Sequence, residues 1–318
     1  MRLSGLRTVA AISAAALVLF ACSNRSEGSS TGWLPTQSSL YAVSLLSRTP
    51  QSSSAVLGAT GARRLYVDDV HYFDYHNVDV LKYGGKFQYL GGIGGIGSPW
   101  GNWVDKAGNF YLADIGNSDV DEYNSSETQI DTYSSGLQST HGVTTDKYGN
   151  VYVVDVNGVH EFPQGHNISF SCAGYNAGGV AVDKTGNVFV STGSSILEYQ
   201  HGLFESGCVD TVLVSSFNNA TGMALDTAGN LVVCDQYGGD VDILAPPYTA
   251  ITGTLGSGWS QPTNVTIDRQ GTRAYVVDTT TYVVKVLNYP SGTVFATLNG
   301  SNGLLAPFAA VDSENYVP

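Results

Sequence analysis

Positive charge is scarce in this chain. Against 27 Asp and Glu stand only 14 Lys and Arg, for a formal charge of −13 at pH 7. Nucleic-acid backbones are held by clustered Lys and Arg, so this balance argues against a nucleic-acid partner. Helical periodicity is nearly absent, which argues against helix bundles and α/β folds. The histidines number six and are scattered, with no metal-ligand spacing among them. No Gly-x-Ser-x-Gly elbow occurs, and the serines fall mainly in loops, so no Ser/His/Asp nucleophile is predicted. The Gly-rich stretch GGIGGIGS at 91–98 is not followed by a helix pattern, which removes phosphate cradling. Disorder is excluded by a hydrophobic content of 42%, enough for a real core.

Long apolar runs are missing except near the N-terminus. Arg2 and Arg7 precede an apolar stretch from Thr8 to Ala21, too short to span a bilayer comfortably, and residues 1–21 read as a secretory signal. The segment ends Leu19-Phe20-Ala21-Cys22, which resembles the bacterial lipobox; the resemblance implies cleavage before Cys22 and its lipidation. The alternative is a plain secretory signal with an incidental cysteine. Loss of Arg2 and Arg7 leaves 12 cations and 27 anions, a charge of −15. Such a chain is not drawn to anionic lipid, so membrane attachment is expected only through the lipid anchor. Residues 22–61 comprise the lipidated Cys and a polar, Ser/Gly-rich tether, placing the chain at the extracytoplasmic face of a bacterial cell envelope.

A repeat of roughly 41 residues organises residues 62–318. The segments VDKAGNFYLAD, TDKYGNVYVVD, VDKTGNVFVST, LDTAGNLVVCD and IDRQGTRAYVVD follow one another, led by Asp105, Asp146, Asp183, Asp226 and Asp268, with Asp312 taken as a sixth. The leading aspartates are spaced 41, 37, 43, 42 and 44 residues apart. Each repeat divides into four short strands: an apolar run, an Asp-x-x-Gly-Asn turn, a β-rich run, a polar loop, a third strand and a less regular fourth. Residues 62–90 resemble strands two to four of a repeat without its first strand, and APFAAVD near Asp312 resembles a first strand alone. Joined, they predict an all-β, six-bladed β-propeller closed by pairing of the C-terminal strand with the N-terminal blade. GGIGGIGS then reads as a flexible crossing between the first two blades.

The repeats resemble NHL repeats, with the pattern P-x-G-I-A-V-D-x-x-G-N-V-Y-V-A-D. The resemblance covers residues 62–318 and implies a propeller. It does not choose among functions, because NHL-like propellers include binding scaffolds, lyases and, more distantly, lactonases.

Residues that recur from blade to blade are read as structural. Asp105, Asp146, Asp183 and Asp226, each followed three residues later by Gly, have the chemistry of tight turns and lack the dense oxygen ligands of a calcium site. Asp69, Asp114, Asp155, Asp235 and Asp278 end the second strands at the channel mouth, where they either cap their own loops or converge on a ligand. Residues that break the repeat are better candidates. Five positions before the leading Asp stand Trp100 and His141, in adjacent blades, suited to one wall of an amphipathic pocket. The loop Val70-His71-Tyr72-Phe73-Asp74-Tyr75-His76 is the longest and most aromatic of its kind. The ligand-binding candidates are therefore Trp100, His141, His71, Tyr72, Tyr75, Asp114 and Asp155, for a protein, peptide or carbohydrate ligand. No catalytic residue, metal ligand or cofactor is assigned. An axial site of lactonase or virginiamycin-B-lyase type is the alternative function, though the required inner-strand carboxylates or His/Glu pairs are not visible. Cys234 reads as a buried core residue, and the sequence leaves open whether Cys172 and Cys208 are bridged.

Overall fold

The computed structural model describes residues 62–70, 77–167, 169–315 and 317–318. They form six four-stranded antiparallel sheets, the blades of a β-propeller. Blade I contains β1 (Arg64–Asp69), β2 (Asn77–Lys82) and β3 (Tyr89–Ile93); blade II contains β4 (Pro99–Val104), β5 (Phe110–Asp114), β6 (Asp119–Tyr123) and β7 (Gln129–Tyr133). Blade III has β8 (Gly142–Thr145), β9 (Val151–Asp155), β10 (Gly158–Phe162) and β11 (Phe170–Ala173). Blade IV has β12 (Gly179–Val182), β13 (Val188–Ser191), β14 (Ile196–Tyr199) and β15 (Asp210–Val214), with helix α1 (Gly202–Ser206) before its last strand. Blade V has β16 (Ala220–Leu225), β17 (Leu231–Asp235), β18 (Asp240–Leu244) and β19 (Gly253–Thr254). Blade VI has β20 (Pro262–Ile267), β21 (Arg273–Asp278), β22 (Val283–Asn288) and β23 (Thr293–Leu298), and β24 (Pro307–Asp312) returns to pair with β1.

Each second strand is sandwiched between two neighbouring blades. It is therefore apolar on both faces, and β5, β9 and β17 are buried at every position. Outer strands such as β7 and β23 are largely exposed and read as irregular. Apolar clusters fill the junctions between blades. At the closure, Leu65, Val67, Leu81 and Ala310 of blade I pack on Tyr275, Val277, Val284 and Val286 of blade VI. Innermost strands approach so closely that side chains are excluded: a Cβ on Gly101 would lie 2.5 Å from the His141 carbonyl oxygen, and one on Gly179 would lie 2.4 Å from that of Thr221.

The leading aspartates are turns. Asp146 Oδ1 accepts the backbone N–H groups of Tyr148 (2.8 Å) and Asn150 (3.0 Å), and Gly149 takes a φ of +86°. Asp312 departs from the expectation by one residue. Asp312 lies opposite Leu65 as Val104 lies opposite Phe110, so Ser313 occupies the leading position. Arg64 N donates to Ser313 Oγ (2.8 Å) as Asn109 N donates to Asp105 Oδ1 (2.8 Å). Asp312 is thereby released to close the ring. Its carboxylate accepts Arg63 Nε at 2.9 and 2.8 Å and the Tyr275 hydroxyl, while Arg63 Nη2 reaches Asp268 at 2.9 Å.

One further detail differs from expectation, and one that the sequence left open is decided. Gly91, Gly92 and Ile93 belong to strand β3, and Ile93 and Ile96 are buried in the junction with blade II, so only part of GGIGGIGS is a crossing. Cys172 and Cys208 are bridged, with Cα atoms 5.3 Å apart. The reason is α1: Glu161 Oε2 of blade III accepts the N–H of Leu203 (2.8 Å), drawing the segment before β15 back toward β11. Cys234 is buried and unbridged.

Candidate functional site

The loops that follow the second and fourth strands lie on one face of the propeller, which is the channel mouth. The carboxylates that end the second strands hold the chain as it enters the first strand of the same blade. Asp114 accepts the N–H groups of Gly97 (2.5 Å), Ser98 (2.6 Å) and Gly116 (2.9 Å). Asp155 accepts those of Gln138 (2.8 Å), Asn157 (2.7 Å) and Gly158 (3.0 Å). Asp235 does so for Asn218 and Asn219, Asp278 for Ser260 and Gln261, and Asp69 for Leu305 and Ala306. Asp114 and Asp155 are both fully buried. Burial drives the Asp155 pKa upward, but His160 and the N–H donors outweigh it and hold the carboxyl below its usual range.

Inside this ring of caps, one register position recurs at or just before the start of each innermost strand. It is occupied by Trp100, His141, Gly178, Thr221, Thr263 and Phe308. In β4, β20 and β24 this residue sits at a bulge, so Trp100, Thr263 and Phe308 are turned out of the ladder. The three ring-bearing residues belong to consecutive blades. Trp100 packs on Phe308 with ring centroids 4.5 Å apart and approaches His141 at 6.2 Å. His141 is buried, its Nδ1–H donates to the Ala177 carbonyl (2.9 Å), and burial lowers its pKa, so the imidazole is neutral at pH 7. Trp100 and Phe308 are half-buried.

Sequence reading placed Trp100 and His141 in adjacent blades, where their rings are 6.2 Å apart, and missed Phe308. Counting back five from Asp312 lands on Pro307; counting from Ser313, the true register, lands on Phe308. The visible signal was the third aromatic residue itself.

Below Trp100 and Phe308 lies the one polar pair at a position that is apolar or small elsewhere. Asp68 of blade I faces Asn102 of blade II, where other junctions pair Ala113 with Val143, Val154 with Val180, and Cys234 with Val265. Asn102 Nδ2 donates to Asp68 Oδ1 (2.7 Å), while Asp68 Oδ2 and Asn102 Oδ1 are buried without a partner. Burial, reinforced by the charges of Asp114 and Asp69, raises the Asp68 pKa well above the carboxylate range.

Exposed apolar side chains extend the mouth outward over blades V, VI and I: Tyr237 (46% exposed), Tyr282 (40%) and Leu305 (47%). His71, Tyr72 and Tyr75, named from the sequence as ligand-binding candidates, lie outside the described residues. Among the described residues, no group of three or more His, Cys, Asp or Glu is disposed to hold a metal ion.

No family model matches the sequence, and no curated protein matches it. Among solved structures, the fold is similar to a chain of the nidogen/laminin complex, with a TM-score of 0.67 at 14% identity over 79% of this chain and 98% of that one. It is similar to a streptogramin B lyase (TM-score 0.51, 8% identity, 78% of this chain and 75% of that one). A putative gluconolactonase is also similar (TM-score 0.51, 12% identity, 63% of this chain and 77% of that one). At these identities the likeness is one of fold, and the chain is a six-bladed β-propeller.

Proposed function

We propose that this chain is a lipid-anchored, extracytoplasmic propeller with NHL-type repeats that binds a protein or peptide partner, or a carbohydrate, through its channel mouth. The observation that carries this reading is the stacked Trp100–Phe308 pair beside His141, the break in the repeat at the axis. Aromatic anchors with a polar surround suit recognition, and the carboxylates around them are committed to backbone caps. The likeness to a propeller solved in the nidogen/laminin complex agrees with a protein partner. The alternative, an axial lactonase- or lyase-type site, has the likeness of fold and the buried Asp68 in its favour, but no group of three or more His, Cys, Asp or Glu among the described residues is disposed to hold a metal ion there.

The test is selection of peptide-display and glycan-array ligands on the full chain, followed by Trp100→Ala and Phe308→Ala, with Tyr148→Ala on the opposite face as control. Loss of roughly tenfold or more in affinity is expected from either mouth variant. Ligands indifferent to both would contradict the reading. For the anchor, palmitate labelling in a bacterial host is expected for the native chain and lost in Cys22→Ser.

A further inference from the structure

We propose that Ser171 is a nucleophile for acyl transfer, activated by His160 and oriented through Asp155, on the flank of blade III. The three residues lie on three consecutive strands. Ser171 on β11 is paired with His160 on β10, and its Oγ lies 2.7 Å from His160 Nδ1. His160 Nε2 lies 3.0 Å from Asp155 Oδ2. At that distance the two are in contact, but the Nε2–H is not aligned for a hydrogen bond, a misalignment that catalytic groups without substrate often show. Asp155 is buried, anionic and fixed by three backbone N–H groups, which places the imidazole proton on Nε2 and leaves the Nδ1 lone pair for the serine hydroxyl. His160 is 4% exposed, whereas Ser171 is open to solvent. A buried carboxylate, a shielded imidazole and an exposed hydroxyl are the parts that nucleophilic catalysis by serine requires.

The position of His160 supports a role beyond packing. Its register equivalents are Asp79, Asp121, Leu197, Asp242 and Lys285, so blade III alone places an imidazole there. In blades II and V the equivalent Asp121 and Asp242 face the caps Asp114 and Asp235 as like charges, which together with burial raises their pKa values. In blade III the interaction is attractive and extends to a hydroxyl. The serine is flanked by Ser169 Oγ at 3.4 Å, which donates to the Ser135 carbonyl (2.9 Å), and Gly136 stands close by. The hydroxyl is exposed, so small activated acyl esters are the substrates that can reach it.

In the reaction, Ser171 Oγ attacks the acyl carbonyl carbon and its proton passes to His160 Nδ1, with Asp155 stabilising the imidazolium. The ester C–O bond breaks, and the leaving oxygen takes the Nδ1 proton, giving acyl-Ser171 and an alcohol. Water then attacks the acyl-enzyme, again giving a proton to Nδ1. Departure of Ser171 Oγ, reprotonated by the imidazolium, releases the carboxylic acid. No oxidant or metal is consumed. Ser171 and His160 are the catalytic residues, and Asp155 is a positioning residue.

The experiment treats the full chain with a fluorophosphonate probe, maps adducts by peptide mass spectrometry, and follows p-nitrophenyl acetate turnover. An adduct on Ser171 is expected, its rate of formation rising with pH as general-base activation requires. His160→Gln should slow labelling and turnover roughly a hundredfold, and Asp155→Asn should shift the pH profile as well as lower the rate. The absence of a Ser171 adduct, or labelling at the same rate in a folded His160→Gln protein, would overturn the proposal. Should either variant fail to fold, the native chain decides: a pH-independent labelling rate would also overturn it.

Discussion

At the residue scale, backbone N–H groups that would otherwise be orphaned at the mouth explain why aspartate recurs there. Asp278→Ala would leave the N–H groups of Ser260, Gln261 and Thr281 without their acceptor. A loss of about 2–3 kcal/mol in denaturant unfolding is expected. Gly101→Ala would drive a methyl group into the His141 carbonyl and cost about 1–3 kcal/mol, checked in the same way. Burial raises the pKa values of Asp119 and Asp242 to about 6, helped by Asp121 and Asp114 at the first and by Asp240 and Asp235 at the second. A carboxyl with a raised folded pKa supports the fold while protonated and loses that support as pH climbs through the folded value. Asp155, with its lowered pKa, acts oppositely and weakens the fold only in acid below the ordinary carboxylate range. The melting temperature should therefore fall by a few degrees between pH 5 and pH 7.5, and Asp242→Asn should flatten that slope. The caps and turns were legible in the sequence because one chemical need recurs in every blade. Phe308 was not, because Asp312 imitates a leading aspartate while Ser313 does its work. The Ser171, His160 and Asp155 grouping was invisible because strand pairing, and no linear motif, brings it together.

At the scale of elements, the ends of the described ring are joined by charge as well as by strand pairing. Arg63 binds Asp312 and Asp268 and lies over the Tyr83 ring at 3.8 Å. Arg63→Ala strips the partner from two fully buried carboxylates, and about 3 kcal/mol of stability should be lost in denaturant titration. A second tie, Arg64 to Glu127, joins blade I to the outer turn of blade II. The disulfide joins blade III to the segment leading into β15 and encloses 36 residues of sequence separation. On the chain-entropy estimate, Cys172→Ser should cost about 3–4 kcal/mol. The bridge was undecided from sequence because outer strands of neighbouring blades diverge, and the short helix that returns Cys208 carries no periodic signal.

At the scale of the whole molecule, six blades of four strands close into a ring, and the proposed recognition site lies where the repetition fails. Blade number, strand order and closure followed from the spacing of the repeats, since each blade can bury its faces only against two neighbours. The axis, by contrast, differs from blade to blade: rings on blades I to III, and glycine or threonine on blades IV to VI. With Tyr237, Tyr282 and Leu305 around it, this gives the molecule one apolar, aromatic mouth and an opposite face of polar turns. The most direct test introduces a benzophenone side chain at position 282, at the mouth, or at position 148, on the opposite face, in the full chain displayed on bacterial cells. On irradiation, a covalent partner should form from position 282 and not from position 148. Cross-linking from position 148 alone, or equally from both, would contradict recognition through the mouth.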